Sequence, residues 1–401
     1  MAIQAVLFVV GILIVRSLDK DEYAAYSVAT AVLAAVTVLL DAGVGATLLA
    51  EGAKRISRPL AVSALFATAR RAQGLLSAVI GGTAALWLFL LLTASGQTPA
   101  SSLLVTLSFL LAFAPVPHTA RYEAYLRLTY RTSPLRRVPL ASAAIRLVVV
   151  LVLSALGVQS AWALVIAIAS VNVMSLMVYR SLALREIPRR SPPEAELRGT
   201  LWHNIARALP SVAALIVSEQ VFLALIAVEG GADIVAEFSA MSRFGAAFLI
   251  VNAVVTDMVA PRFARTEARR AVLLPRYVLS VAVYAAVVLA FVVFVAVCAP
   301  LLLMLLGADY AGLEVPLTVI AAGFGAAQTA YMLNAINASR GWLKHSWIHP
   351  ALLLVWLIAV LALFDLSDIV QVSLAFLLQW LPAILMQLVR SVAGFVELKR
   401  Q

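Results

Sequence analysis

Charge and cysteine are scarce in this 401-residue chain. Only 12% of its residues are charged, about half the share of a soluble domain, and 63% are hydrophobic. The single cysteine, Cys298, excludes a disulfide framework and a cysteine–metal cluster. The four histidines form no HExxH motif, and the sequence contains no glycine-rich phosphate loop or ATPase motif. We therefore expect neither a soluble enzyme nor a bound cofactor or metal.

Long apolar runs make up most of the sequence. A helix needs about 20 apolar residues to cross a bilayer, and most of the runs approach or exceed this length. They show no period-two alternation, so they predict helices and not strands. The fold class predicted is an all-α polytopic membrane protein. Its twelve segments lie at about 2–16, 23–48, 74–94, 102–120, 138–156, 160–180, 206–228, 236–260, 276–299, 314–336, 346–364 and 369–390.

The basic residues are distributed unevenly between the gaps. All but four of the 30 Lys and Arg lie in the gaps after segments 2, 4, 6, 8 and 10, at the C-terminus, or within two residues of these parts, the exceptions being Arg16, Lys20, Arg146 and Arg243. Cytoplasmic loops carry an excess of Lys and Arg, so this pattern places both termini in the cytoplasm. Ten or fourteen spans would keep the same parity. Topology and anionic lipid headgroups explain the net charge of +10 better than nucleic acid does.

The longest polar gap, at about 181–205, falls at the midpoint of the chain. We interpret the sequence as an N-terminal six-helix lobe (1–180), a cytoplasmic linker (181–205), a C-terminal six-helix lobe (206–390) and a cytoplasmic tail (391–401). Two such halves are a common transporter plan. The alternative is an ordinary loop between unrelated helices.

Four short stretches together form a pattern typical of a known family. They are Arg16–Tyr26, Leu40–Gly45, Ala260–Arg262 and Leu306–Tyr310. These stretches resemble the polysaccharide repeat-unit (O-antigen and exopolysaccharide) flippases, a family within the multidrug/oligosaccharidyl-lipid/polysaccharide exporter superfamily. Asp19 and Ala24 stand where the family pattern has glycines.

The resemblance implies two six-helix lobes around a central cavity in the bacterial cytoplasmic (inner) membrane, and no enzymatic activity. It implies transfer of undecaprenyl-pyrophosphate-linked oligosaccharides from the inner to the outer leaflet, for polysaccharide or lipopolysaccharide synthesis. Membrane lipids, a polysaccharide polymerase and a chain-length regulator are the implied partners, without nucleic acid. The alternatives are an ion-coupled drug antiporter of the same superfamily and, with less support, a membrane-embedded glycan polymerase.

Three charged residues lie at membrane depth, where an unpaired charge is costly and often functional. Glu219 is about 13 residues, roughly 20 Å, into segment 7. It suits ion coupling, although it could equally pair with an arginine. Arg146 and Arg243 lie in segments 5 and 8 and offer the bidentate donors that suit a pyrophosphate. Their alternative role is to extend toward the nearer interface.

Four further residues complete the candidate site. Asp41 and Asp257, near the cytoplasmic ends of their segments, could gate a cavity, but pairing with basic loops is favoured for both. Gln328 and Asn334 in segment 10 could bind sugar hydroxyls, although interhelical hydrogen bonds are the favoured role of such amides.

Overall fold

The residues that the computed structural model describes form helices joined by turns and loops, and no β-strand occurs among them. The described residues are 2–41, 44–55, 58–129, 132–184, 195–245, 247–248, 259, 263, 266–267, 269–340, 342 and 347–400. They form two compact units, Ala2–Ala236 and Glu237–Gln401.

The first unit contains nine helices among its described residues, and a tenth crosses its boundary. Predicted segment 4 is divided at Pro115, because one helix ends at Phe113 and the next begins at Val116. The helices are α1 (Ala2–Ser17), α2 (Lys20–Asp41), α3 (Val44–Ala53), α4 (Pro59–Ala94), α5 (Pro99–Phe113), α6 (Val116–Leu128), α7 (Thr132–Ala155), α8 (Ala161–Ala183), α9 (Ala195–Glu229) and α10 (Gly231–Ser242).

Acidic side chains cap two of these helices on the side that has few basic residues. Asp19 Oδ1 accepts a hydrogen bond from the Glu22 backbone N–H at 2.8 Å, which satisfies a free donor at the start of α2. Glu22 Oε2 in turn accepts from the Ala161 N–H at 2.5 Å, the first residue of α8. These contacts fix the start of α8 beside the start of α2.

Helix α8 lies at the centre of the first unit. It packs against α2, α5, α6 and α7, and α7 also packs against α1. Where α6, α7 and α8 meet, Leu126, Val138 and Tyr179 form a small buried cluster. The polar side chains of these helices are therefore held on a rigid frame.

In the second unit, α12 (Glu314–Ser339) is the central helix. It packs against α11 (Arg270–Leu306), α14 (Ile369–Gln379) and α15 (Leu381–Arg400). An uninterrupted hydrogen-bond network crosses these helices. Asn337 Nδ2 donates to the Gln387 carbonyl at 2.9 Å, the Ser391 hydroxyl contacts Asn337 Oδ1 at 2.9 Å, and Tyr277 donates to Ser391 at 2.8 Å. The helices are α11 (Arg270–Leu306), α12 (Glu314–Ser339), α13 (Ile348–Leu363), α14 (Ile369–Gln379) and α15 (Leu381–Arg400).

Eight helices in the described part of the chain are long and apolar enough to span a membrane, and Ile3–Ser17 and Ile348–Leu363 are shorter apolar helices. The all-α polytopic fold class is therefore confirmed. The division at 181–205 stays a prediction. Residues 195–205 of that linker belong to α9, which packs against α2, α3 and α4, and residues 185–194 lie outside the described part.

Several helices extend past the predicted apolar segments. Helix α4 begins at Pro59, 15 residues before predicted segment 3, and α15 continues through the predicted tail to Arg400. Arg70 and Arg71 interrupt the hydrophobic run without interrupting the helix, because arginine is a good helix former. Hydropathy therefore locates the membrane-crossing part of a helix and not its ends.

Candidate functional site

A polar cavity of about 310 Å³ lies in the first unit, between α1, α2, α6, α7 and α8. Aliphatic side chains such as Ile3, Leu7 and Val116 form part of its wall, while hydroxyl, amide and charged groups form the rest. The polar lining residues are Thr37, Thr119, Glu123, Ser142, Arg146, Asn172, Ser175 and Tyr179.

Helical periodicity explains why these residues face one space. On α7, Ser142 and Arg146 are four residues apart, so they lie on one face of the helix. On α8, Asn172, Ser175 and Tyr179 are spaced by three and four residues and also share a face. The two faces meet, because the Ser142 and Ser175 hydroxyls form a hydrogen bond of 2.8 Å.

Arg146 is the cation of this cavity. Its Nη2 donates to Asn172 Oδ1 at 3.1 Å, and its buried Nε has no hydrogen-bond partner among the described residues. Asn172 is itself oriented, because its Nδ2 donates to the Ala112 carbonyl at 3.0 Å. No carboxylate in the described part of the chain pairs with Arg146. Among the described residues, the guanidinium is therefore held by a neutral amide and not by an acid.

Glu123, the carboxylate that lines the cavity, interacts with residues other than Arg146. Glu123 lies 3.6 Å from Arg127 Nη2 and also interacts with the Tyr179 side chain. Glu123 and Arg127 are four residues apart on α6, the spacing at which opposite charges pair on a helix. The negative charge of Glu123 on α6 is thus paired with Arg127, whereas no carboxylate among the described residues is paired with Arg146 on α7. This arrangement suits an anionic group flanked by hydroxyls.

Glu219 lies apart from this cavity. It is half-buried on α9, and no hydrogen bond or ion pair reaches it from the described residues. Its neighbour Gln220 lines a second cavity of about 360 Å³ between α2, α4 and α9, where the Gln220 Oε1 and Trp87 Nε1 atoms are buried without a hydrogen-bond partner among the described residues. Because Glu219 lines neither cavity, the structure does not place it beside Arg146.

The other predicted site residues fall in several places. Arg243 is half-buried at the start of a short 3-10 helix. Gln328 is 4% exposed and its Oε1 finds no partner in the described structure, whereas exposed Asn334 accepts a hydrogen bond from Gln387 Nε2 at 2.9 Å. That bond supports the interhelical role for Asn334. Their roles in binding stay predictions.

The side chains of the two predicted gating residues lie outside the described part of the structure. Asp41 is the last residue of α2, and its side chain lies outside the described part; Asp257 lies wholly outside the described residues. In the part that is described, no three His, Cys, Asp or Glu side chains come together in a way that could hold a metal ion.

Sequence reasoning missed most of the polar lining of the cavity. Asn172 was the one readable signal, because an amide in the middle of an apolar segment is unusual. Ser142, Ser175 and Thr37 gave no signal, since serine and threonine are tolerated in any span by bonding to their own helix. Thr37, for example, donates to the Leu33 carbonyl at 2.7 Å.

Comparison with solved structures gives matches over the whole chain. An inward-facing multidrug resistance MATE family transporter of the MOP superfamily matches 100% of this chain and 96% of its own, with a TM-score of 0.76 and 14% identity. The lipid II flippase MurJ, in an inward closed conformation, matches 99% of this chain and 88% of its own, with a TM-score of 0.70 and 9% identity. A MATE in complex with MaD3S matches 100% and 94%, with a TM-score of 0.65 and 16% identity.

This chain has the fold of these transporters. The helix arrangement matches theirs, which confirms a multi-pass membrane protein. No protein-family model matches the sequence, and no curated protein does. At identities this low, the comparisons establish the shared fold.

Proposed function

We propose that this protein is a flippase for pyrophosphate-linked lipid oligosaccharides. It would move undecaprenyl-pyrophosphate repeat units from the inner to the outer leaflet of the bacterial cytoplasmic membrane by alternating access. The observation that carries the proposal is Arg146, a cation in a polar cavity that no carboxylate among the described residues neutralises. A pyrophosphate needs such a donor to leave the aqueous interface.

The lining of the cavity adds to this support. A phosphate placed at Arg146 would find the Ser142 and Ser175 hydroxyls on the adjoining wall. The oligosaccharide would extend from the cavity, since 310 Å³ holds a headgroup and not a glycan. The fold supports transport in general, and one of the solved structures it resembles is a lipid II flippase.

The test is transbilayer transfer of fluorescent undecaprenyl-pyrophosphate oligosaccharide in proteoliposomes. Arg146→Lys keeps the charge but loses the planar donor fork that reaches Asn172. We expect transfer to fall roughly tenfold to a hundredfold, because charge-assisted hydrogen bonds contribute about 1.5–3 kcal/mol.

The matched control is Arg137→Lys, an exposed arginine on the same helix that does not line the cavity. It should transfer substrate at the wild-type rate. Wild-type transfer by Arg146→Lys would remove Arg146 from the binding site, and no transfer by the wild type with any of several glycans would reject the proposal.

A second candidate, an ion-coupled small-molecule antiporter, is favoured by Glu219. A half-buried carboxylate without a partner among the described residues can exchange a proton or cation with either side of the membrane. In that case a proton gradient would drive export of a cationic dye, and Glu219→Gln would abolish it. Dye export without any glycan transfer would decide for the antiporter.

The remaining parts of the proposal follow from the substrate. The partners would be the lipid-linked glycan and membrane lipids. For Asp41 and Asp257, pairing with basic loops stays the favoured prediction and gating the alternative. We propose that the protein is not an enzyme, since the solved structures it resembles are transporters and a flippase. A polysaccharide polymerase and a chain-length regulator stay predicted partners without structural support.

A further inference from the structure

Four basic side chains act on one another where α6 packs between α4 and α8, outside the polar cavity. Arg121 on α6 is the buried member, with 5% of its surface exposed. Its Nη2 lies 3.2 Å from His118 Nδ1, and its Nη1 donates to Gln73 Oε1 on α4 at 3.5 Å. Its guanidinium carbon lies 5.3 Å from the centre of the Tyr122 ring. All of these partners are uncharged or basic.

Arg70 on α4 and Arg180 on α8 complete this group, which we call the basic cluster (Arg70, His118, Arg121 and Arg180). Both arginines are exposed and lie within electrostatic reach of His118. Arg70 also acts on Arg121. The cluster therefore has a buried floor, formed by Arg121, and an exposed rim, formed by Arg70 and Arg180. It lies on the side of the chain where Lys and Arg are concentrated, which the sequence predicts to be cytoplasmic.

The nearby carboxylates do not neutralise the basic cluster. Glu123 on α6 is 3.6 Å from Arg127. Glu51 on α3, which packs against α6, is hydrogen-bonded by Lys54 and Arg55, and these bonds hold the pKa of its carboxyl below the ordinary value. Within the described residues, no carboxylate pairs with any arginine of the cluster.

An unbalanced buried cation is costly, so its presence calls for a compensating anion. Arginine presents planar donors whose spacing matches phosphate oxygens, and several arginines around one point favour a group with more than one negative charge. The exposed rim leaves such a group a way in from the interface. From this geometry we propose that the basic cluster binds a phosphate or pyrophosphate headgroup, as a second anion site separate from Arg146.

Two kinds of lipid carry a phosphate or pyrophosphate headgroup that would fit the basic cluster. The headgroup could be the pyrophosphate of the lipid-linked substrate, held at the interface before it enters the cavity, and this version rests on the proposed function. It could also be the phosphate of an anionic phospholipid, which would be independent of transport. The distinction is experimental, because a polyprenyl pyrophosphate and a phospholipid can be titrated separately.

The experiment measures binding of undecaprenyl pyrophosphate and of dioleoyl phosphatidylglycerol to the full-length protein in neutral detergent micelles, by native mass spectrometry. Arg70→Gln and Arg71→Gln form the matched pair. The two exposed arginines are neighbours on α4 and carry the same charge, but they point about 100° apart around the helix. Arg121→Gln tests the floor of the site.

We expect Arg70→Gln to weaken binding of at least one lipid roughly tenfold, the value of one charge-assisted hydrogen bond. Arg121→Gln should weaken it at least as much, and Arg71→Gln should bind as the wild type does. Weakening confined to the polyprenyl pyrophosphate would identify the substrate as the source, and weakening of phosphatidylglycerol would identify the phospholipid.

Equal weakening by Arg70→Gln and Arg71→Gln would overturn the proposal, since it would show a general surface charge effect. Unchanged binding in Arg70→Gln would overturn it as well, even if Arg121→Gln failed to fold. The readout is independent of transport. A protein that moves no glycan could still lose phospholipid binding in Arg70→Gln, so failure of this site and failure of the flippase proposal are distinguishable.

Discussion

The role of Arg146 as an anion site can be tested by changing the charge next to it. Asn172 Oδ1 lies 3.1 Å from Arg146 Nη2, so Asn172→Asp would place a carboxylate beside the guanidinium with almost no change in size. The arginine would stay in place, but its charge would be neutralised. An anionic substrate would then have to compete with a fixed carboxylate, while the fold would lose little.

The magnitude follows from the geometry. Two unit charges about 4 Å apart attract by about 4 kcal/mol at an effective dielectric constant of about 20. At about 1.4 kcal/mol per factor of ten, this corresponds to an upper limit of roughly a thousandfold in affinity. The new carboxylate would also lose the donor that reaches the Ala112 carbonyl, a bond worth about 1 kcal/mol, so its position would be less well fixed. We expect a loss of about tenfold to a hundredfold.

The assay is glycan transfer in proteoliposomes at several substrate concentrations, compared with Asn172→Ala. The alanine variant leaves the charge of Arg146 intact and removes only its support, so it should transfer better than Asn172→Asp. Both variants should keep the wild-type melting temperature within a few degrees. If Asn172→Ala is as impaired as Asn172→Asp, Asn172 acts through packing, and the electrostatic reasoning is wrong.

Two further predictions concern stability. For unfolding in detergent, the free energy of unfolding of Gly81→Ala should be about 1–3 kcal/mol lower than that of Gly82→Ala. A Cβ at position 81 would overlap the ring of Phe113, whereas position 82 faces open space. Equal stability would show that the helices can separate there. Glu51 should stabilise the protein at neutral pH and lose this contribution as the pH falls through its folded-state pKa, which the bonds from Lys54 and Arg55 keep below the ordinary value. Acidification should therefore lower the melting temperature of the wild type slightly more than that of Glu51→Gln, and parallel pH profiles would contradict the pairing.

The fold was readable from the sequence because a bilayer imposes simple rules on length and charge. Apolar runs, and the restriction of Lys and Arg to alternate gaps, were enough to predict an all-α polytopic protein. Helix ends were not readable, as α4 shows, because hydropathy reports the membrane and not the hydrogen-bonded helix.

The candidate site was readable only one residue at a time. Arg146 could be found because a charge in an apolar segment is conspicuous, but its partner Asn172 is 26 residues away and meets it only once α7 packs on α8. Predicted segment 4 ends at residue 120, which leaves Arg121 in a loop. Helix α6 continues to Leu128 and buries the Arg121 side chain against α4. Such pairings depend on tertiary packing, which a single sequence does not contain.

The choice between flippase and antiporter therefore depends on the state of two charges and not on the fold, which suits either function. Arg146 faces a cavity with hydroxyls and a neutral amide, where a bound phosphate would replace a missing counter-ion. Glu219 adjoins a nearly apolar cavity that offers little to a hydrophilic substrate. A cationic drug would be better served by the reverse arrangement, with the acid in the polar cavity and the arginine excluded from it. The distribution of charge within the first unit thus favours an anionic headgroup as the transported species, with Glu219 as a coupling group if the movement is ion-driven.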